Sequence, residues 1–489
     1  MPQLLALDQP QPLHDTAATR ELERAAAARL PPHTLMRRAG LAVARLAVAL
    51  SPHARSVWIA CGPGNNGGDG LEAAMHLRQW GLNPVVTLLG DPLNLPADAR
   101  ASFLRAQEAG VTFAEAPPLL DPNDLYIDAL LGIGGVRAPE GRMSEWLGLM
   151  AASPARRLAV DVPSGLNADT GVHLAKTPPP ATDRQHTLSL LTLKPGLFTM
   201  HGRDACGTIW FDDLGIIPSE PPIALLNTTG PTHARPHASH KGTWGDVAVI
   251  GGHIDSSRGI AMGGAALLAA RAALSNGAGR VYVSLLGDAS LMLDVAAPEL
   301  MFRRHEALDL PSLSVVCGCG GGEAVAEVLA PALSAAPRLV VDADALNTIA
   351  VEPVLQSTLT GRAQLGQATV LTPHPLEAAR LLKCSAADVQ NNRLNAAQEI
   401  ARRFRCTVVL KGSGTTIAAP GQPTRINPTG NARLATAGTG DVLAGMIGAR
   451  MASGCSAFEA ACSSVWLHGH LADIWPEDQP FTAGSLCQP

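Results

Sequence analysis

The sequence predicts an α/β protein of two domains, on three observations. A chain of 489 residues exceeds what one ordinary core holds. Short β-branched runs alternate with alanine-rich segments of helical period. Most of those runs are continuous rather than alternating, which suits strands of a largely parallel sheet buried on both faces.

The elements follow in chain order. "LAVARLAVAL" is broken by Arg45 and reads as an amphipathic core helix, not a membrane span. "SVWIA", "PVVTLL" and "RLAVDV" read as strands, with "LEAAMHLRQW" as a helix between the first two. Later come the strands "DVAVIGG", "RVYVSLL", "LSVVCG", "RLVVDAD", "ATVLTP" and "CTVVLKG". The helices among and after them are "GGAALLAARAAL", "PLEAARLL" and "DVLAGMIGARMA". Between the two series, "IPSEPPIALLNTTGPTHARPHAS" is rich in Pro, Thr and Ser and reads as a linker. The expected boundaries are a first domain at 1–217, a linker at 218–235 and a second domain at 236–489.

Composition excludes several function classes. With 46% hydrophobic and 16% charged residues the chain is globular, not disordered. Its net charge of −5 and its lack of a long basic run argue against nucleic acid as a partner. The start, "MPQLLALDQPQPLHD", has neither the basic region nor the apolar core of a secretory signal. No apolar run approaches membrane length, so no membrane partner is expected. Nine scattered cysteines, an odd number, read as free thiols of a reducing compartment, so a cytoplasmic location is expected. There are five lysines against 32 arginines, so Lys194 and Lys411, both inside motifs, carry weight as point charges.

The first chemical signal is "CGPGNNGGDG". Gly62, Gly64 and Gly67 fit G-x-G-x-x-G, which lets backbone N–H groups approach an anion at a helix start. Asp91 could even serve as the ribose acid of a redox Rossmann site. Yet Asp69 would repel a phosphate, and Asn65, Asn66 and Asp69 look more like oxygen donors for a cation, a sugar or an amide. A plain Asn-Gly turn is the other reading. Asp128, before Gly132, Gly134 and Gly135, and then Asp161 and Ser164, end two further strands. Carboxyl ends of strands converge on the ligand crevice of such sheets. Asp161 alone could be a helix cap, and Lys194 in "LLTLKPGL" could be a surface lysine.

In the second domain no P-loop motif occurs. Gly438, Thr439 and Gly440 precede a helix whose first turn contains Asp441. Free N–H groups there form an anion hole, and a carboxylate beside it can take the proton of a hydroxyl being phosphorylated. Asp441 as a simple cap is the alternative. Lys411, in "VVLKGSGTTI", reads as a nucleotide-phosphate contact or a hairpin residue, and His374 as a substrate contact or an exposed loop residue. Asp342, Asp344 and Asn347 suit a sugar, nucleotide or magnesium environment.

"GPGNNGGDG", "DALLGIGG", "DVPSGLNADTG" and "LKPGL" resemble the motif series of the NAD(P)HX epimerase family, through most of residues 15–215. The resemblance implies a Rossmann-like αβα domain that binds a hydrated, damaged nicotinamide nucleotide and potassium. By motif position Asn66, Asp128 and Ser164 would ligate the potassium. Asn65, Asn66, Gly67, Gly68, Asp69, Gly132, Ile133, Gly134, Gly135, Val136, Arg137, Ala138 and Asp161 would line the nucleotide. Asp161 and Lys194 would be catalytic.

"TPHPLE", "LKG-G-T" and "AGTGDVLAG" resemble the ADP-dependent NAD(P)HX dehydratase family, a branch of the ribokinase-like fold, over about 236–475. Carried over, Ala265, Gly320, His374 and the catalytic Asp441 would contact the hydrated nucleotide. Lys411, Gly412, Ser413, Gly414, Thr415 and Gly440 would hold the adenine nucleotide, with Mg²⁺ arriving alongside ADP. One departure stands out. The family's Gly-Pro-Gly-Leu-Gly is Gly318-Cys319-Gly320-Gly321-Gly322 here, and losing a proline is expected to loosen that loop. The implied function is bifunctional repair of hydrated NADH and NADPH, using ADP, in a homo-oligomer. A small-alcohol kinase of thiamine-precursor type, fused to a non-catalytic scaffold domain, is the rival reading.

Overall fold

The computed structural model describes residues 1–7, 9–135, 137–175, 182–230, 236–288 and 293–487. The chain divides into two compact units, Met1–Leu225 and Leu226–Pro489. The division falls inside the span expected as a linker, of which 231–235 lie outside the described residues. Within that span Ala224–Leu226 is a strand, and its Ala224 and Leu225 pair antiparallel with Leu13 and Pro12.

The first unit is built on one sheet. From edge to edge its strands run Gln3–Leu4, Thr208–Asp212, Gln185–Leu190, Arg156–Val160, Leu125–Ala129, Val57–Cys61, Pro84–Leu88 and Thr112–Phe113. All neighbours are parallel except Gln3–Leu4, which pairs antiparallel at the edge. Val57–Cys61 comes first among the parallel strands, and the chain then leaves it in both directions. That makes its carboxyl end, beside that of Leu125–Ala129, the topological switch point where such sheets bind ligands.

Both faces of the central strands are dry, which is why they read as continuous apolar runs. Val57, Ile59 and Cys61 face a core completed by helices Thr34–Leu50 and Asn65–Gln79. Trp58 and Ala60 face the other way, against Tyr126 and Trp146. Burying each large apolar side chain contributes about 1.5–3 kcal/mol.

The second unit repeats the plan. Its strands run Met301–Phe302, Arg280–Gly287, Asp246–Asp255, Ser314–Cys317, Arg338–Val341, Ala368–Leu371, Thr407–Leu410, Thr416–Ala418 and Arg425–Ile426. They are parallel through Thr407–Leu410 and antiparallel beyond it. Again the first parallel strand is central, so the switch point lies at the ends of Asp246–Asp255 and Ser314–Cys317. Val247 and Val249 pack toward helices Gly263–Ser275 and Thr439–Ala452, while Ala248 and Ile250 pack toward Val325–Ala335.

Close backbone approach fixes the first switch point. The stretch Asn65–Asp69, which reads as a loop, is the opening of helix Asn65–Gln79, with Gly64 at its N-cap. A Cβ on Gly62 would lie 1.9 Å from the Leu130 carbonyl oxygen, and one on Gly67 would lie 2.0 Å from that of Gly62. These glycines let the helix start press onto the sheet. Gly67→Ala should therefore destabilise the first unit by at least about 1–3 kcal/mol. Gly148→Ala, on the exposed helix Arg142–Ala152 where nothing lies within 4 Å, should stabilise it by about 0.5–1 kcal/mol. Thermal unfolding of the two variants should thus shift in opposite directions.

Candidate functional sites

At the first switch point lies a cavity of about 660 Å³. Of the residues singled out in the sequence, Asn65, Asn66, Asp69, Gly132, Ile133, Gly134 and Asp161 line it. Gly67 and Gly68 are buried in the helix start, and Arg137 and Ala138 are exposed outside the cavity wall. Val136 lies outside the described residues. The helix start has no side-chain cap, so its first-turn N–H groups are left for a ligand.

Two carboxylate arrangements meet here. Asp161 sits at φ 66°, a left-handed conformation that costs a non-glycine residue about 1–2 kcal/mol. It is held there by Lys194, which is wholly buried, forms an ion pair with Asp161 and donates to the Leu190 carbonyl at 2.7 Å. Lys194 is therefore no surface lysine. Deeper, Asp128 accepts from Ser164 twice, from its hydroxyl at 2.6 Å and its N–H at 3.0 Å. The Ser164 hydroxyl is also 3.3 Å from the Leu131 carbonyl oxygen.

Asp69 is pushed well above the usual carboxylate range, first by burial and then by the charges of Asp161 and Glu23. Glu23 is pushed up in the same way, by burial and then by Asp161. The sequence suggests Asp128 as part of this crowd. The charges that bear on Asp69 come instead from Asp161, Glu23, Glu72 and Asp98. Asp128 is spent on Ser164.

In the second unit, motifs far apart in sequence converge. Lys411 Nζ donates to Asp342 at 2.7 Å, and the Thr372 hydroxyl donates to the same oxygen at 2.7 Å. A Cβ on Gly440 would lie 3.3 Å from Lys411 Nζ. Gly440 belongs to helix Thr439–Ala452, whose N-cap, Gly438, has φ 91° and no side-chain cap bond. Thr439 and Gly440, which the sequence places ahead of the helix, form its first turn with Asp441. Burial, then the charge of Asp342, pushes the Asp441 carboxyl up to about 6. Burial lowers the Lys411 ammonium, but Asp342 and Glu377 outweigh it and hold it above its usual range. Beneath, the buried His468 is bonded to the Thr439 carbonyl at 2.9 Å and is depressed by burial to about 4, so it stays neutral and donates.

Other expected residues take more structural parts. His374 caps helix Pro375–Leu382, accepting from the N–H groups of Leu376 and Glu377, while Glu377 accepts from the His374 N–H. Thr415 bonds back to the Gly412 carbonyl at 3.0 Å, closing the turn after Lys411. Asp344 accepts from the Gly322 N–H, and Asn347 from Arg380, so of that trio only Asp342 meets Lys411.

The loop expected to be loose is pinned. Gly318 and Gly321 donate to Ile250 and to Gly318, and the Cys319 and Gly320 carbonyls accept from Gly252 and His253. Positive φ at Gly318, Gly320 and Gly322 lets it fold without the proline. A Cβ on Gly320 would lie 2.8 Å from that of Ala265, so these two expected contacts are neighbours.

Sequence reasoning missed several residues. Arg393, buried, donates to the carbonyls of Leu410 and Lys411 and shapes the lysine turn. Glu377, inside the quoted "TPHPLE", is raised to about 7, mainly by burial. Arg20, Glu23 and His33 line the first cavity from the N-terminal helices, where no motif marks them.

Two α/β units, each with an uncapped helix start, several carboxylates and an Asp–Lys ion pair at the carboxyl ends of its strands, define an enzyme of two sites. The NAD(P)H-hydrate dehydratase family model matches residues 247–487, and the model of the YjeF-related protein N-terminus matches 32–196. The bifunctional NAD(P)H-hydrate repair enzyme of Escherichia coli is 35% identical over 90% of this chain and 85% of its own length. The ADP-dependent (S)-NAD(P)H-hydrate dehydratase of Neisseria meningitidis is 42% identical over 52% of this chain and 84% of its own. A solved ADP/ATP-dependent NAD(P)H-hydrate dehydratase of Bacillus subtilis, co-crystallised with ATP and Mg²⁺, is 28% identical. It covers 52% of this chain and 90% of its own, at a TM-score of 0.44. The chain belongs to the bifunctional NAD(P)H-hydrate repair enzyme family.

The Asp161–Lys194 pair can be tested directly. Lys194→Met leaves a largely buried carboxylate without its partner and should cost the first unit about 3–5 kcal/mol. Adding Asp161→Asn should restore part of that loss. Thermal melts of both single variants and the double variant check it, and strictly additive losses would mean the pair is not coupled.

Proposed function

We propose that this chain repairs hydrated NADH and NADPH in two steps. Residues 1–217 interconvert the R and S epimers, and residues 236–489 dehydrate the S form at the expense of ADP, giving AMP and phosphate. The observation that carries the reading is Asp441. It stands in the first turn of an uncapped helix, beside the Asp342–Lys411 pair, with its carboxyl raised to about 6.

Hydroxide is a poor leaving group, and the dehydration turns it into a good one. Asp441, ionised at neutral pH, takes the proton of the C6 hydroxyl as its oxygen attacks the terminal phosphorus of ADP and AMP departs. Lys411 and the N–H groups around Gly440 stabilise the transferring phosphoryl group. The ring nitrogen lone pair then expels phosphate from C6. Loss of a C5 proton completes the C5=C6 double bond and restores the reduced nicotinamide. Ala265, Gly320 and His374 would contact the hydrated nucleotide, and Lys411 to Thr415 would hold the adenine nucleotide.

Cys319, Asp342 and Asp441 offer donor atoms within 4.8 Å of one another. A thiol is a soft donor, and Lys411 already occupies Asp342, so this trio does not suit Mg²⁺. Mg²⁺ would travel with the nucleotide phosphates.

In the first unit epimerisation requires the C6 hydroxyl to leave and water to return from the opposite face. Asp69, raised by its surroundings, holds a proton to give to the departing hydroxyl, and Asp161 can take one from the incoming water. Lys194, sealed from the cavity, positions Asp161. Potassium would be held by Asn66, Asp128 and Ser164. That all-oxygen set suits a hard cation, and the Asn66 amide has a buried nitrogen without a hydrogen-bond partner, so the amide can turn. When bound, the ion would supply counter-charge among the carboxylates.

The deciding experiment adds the protein, ADP and Mg²⁺ to an R/S mixture of hydrated NADPH and follows the reduced-nicotinamide band. Appearance of NADPH from both epimers is expected, and a stable phosphorylated product would point to a small-alcohol kinase instead. Asp441→Asn should bind ADP normally and lose roughly 10²–10⁴ in turnover. In the parent, the dehydration rate should fall as pH drops through about 6, where Asp441 gains its proton and can no longer act as base. A rate flat from pH 5 to 8 would remove Asp441 from that role. Replacing K⁺ by tetramethylammonium should slow epimerisation severalfold and leave dehydration of pure S substrate unchanged. Chromatography of the two epimers reads this out.

A further inference from the structure

We propose that Arg20 holds the diphosphate of the dinucleotide in the first unit's cavity, an inference that rests on the nucleotide-binding reading above. That cavity is short of positive charge. Glu23, Asp69, Asp98 and Asp161 all line it, and a dinucleotide brings further negative charge. Lys194 is sealed away and committed to Asp161. His33 is bonded to Asp98 at 2.5 Å. Among the described residues Arg20 is the one lysine or arginine on the cavity wall. It is exposed and makes no hydrogen bond or ion pair with any described residue, although its charge bears on Glu23.

Its placement fits the task. Helix Thr16–Ala27 is started by Asp15, which accepts from the Ala18 N–H at 2.8 Å. It is pinned by the Thr19 hydroxyl, 2.8 Å from that of Thr192. Arg20 follows directly, so its backbone is rigid while its guanidinium is free. A Cβ on Gly134 would lie 3.7 Å from Arg20 Nη2, and one on Gly132 would lie 2.9 Å from Asn66 Oδ1. The arginine fork and the uncapped helix start Asn65–Gly67 therefore flank the same short glycine segment. A planar guanidinium on one side and free N–H groups on the other make a clamp for a diphosphate. The family model match begins at residue 32, so this helix lies outside the matched segment.

The test is hydrogen exchange of the full chain, read by mass spectrometry on peptides spanning 62–70. NAD⁺ and NADP⁺ serve as separate probes, with parent, Arg20→Gln and Arg20→Lys compared. In the parent both nucleotides should slow exchange there. In Arg20→Gln the half-effect concentration should rise roughly ten- to a hundredfold for both, with Arg20→Lys between. Arg20 is exposed, so thermal melts should not move. A half-effect concentration in Arg20→Gln within twofold of the parent would overturn the assignment. A loss confined to NADP⁺ would also overturn it, placing Arg20 on the extra phosphate of that nucleotide instead. No protection in the parent would sink the nucleotide reading of this unit, and the inference with it.

Discussion

A parallel strand covered on both faces has no place for a charge except at its ends. That constraint organises this protein. Val57–Cys61 and residues 247–250 of Asp246–Asp255 are each dry on both sides, so every side chain along those stretches belongs to a core. Polar chemistry is pushed to the carboxyl ends, where the chain turns toward a helix. Because the chain leaves each of these strands in both directions, the neighbouring loops part and open a crevice. The sites sit where they do because the sheets cannot hold them anywhere else.

The same electrostatic device appears in both crevices. Asp161 is paired with Lys194, and Asp342 with Lys411, each lysine being one of only five in the chain. Burying a carboxylate is costly, and a buried ammonium offsets the cost only when its geometry is fixed and its remaining donors are used. Lys194 uses a backbone carbonyl for this. On the other side, the Thr372 hydroxyl shares the Asp342 oxygen with Lys411. Such pairs contribute little net stability. They hold a compact point charge at a set position.

The two crevices differ in balance. In the first, carboxylates outnumber cations, so Asp69 and Glu23 are driven toward their protonated forms. In the second, Lys411 and the free N–H groups of a helix start oppose two aspartates, and Asp441 remains ionised at neutral pH while close enough to it to exchange a proton. The Gly318–Gly322 loop is held without a proline by its backbone hydrogen bonds and positive φ angles.

The sequence by itself determined the α/β class, the nine apolar strand runs and the motif residues at the strand ends. These are local properties, since a continuous β-branched run and a glycine-rich turn carry their reasons within a few residues. It also pointed to Asp161, Lys194, Lys411 and Asp441 individually. Only the tertiary structure decided which of them meet. Lys411 and Asp342 are 69 residues apart, and no spacing rule joins them. It decided that Asn65–Asp69 is a helix start and not a loop, because that depends on how closely Gly62 and Gly67 let two backbones approach. It moved Asp128 out of the carboxylate crowd and gave it to Ser164, and brought Glu23 in from a helix that carries no motif. Helical period shows which face of Thr16–Ala27 is apolar, but not which crevice its polar face overlooks. That follows from packing across the whole unit, which a local pattern does not encode.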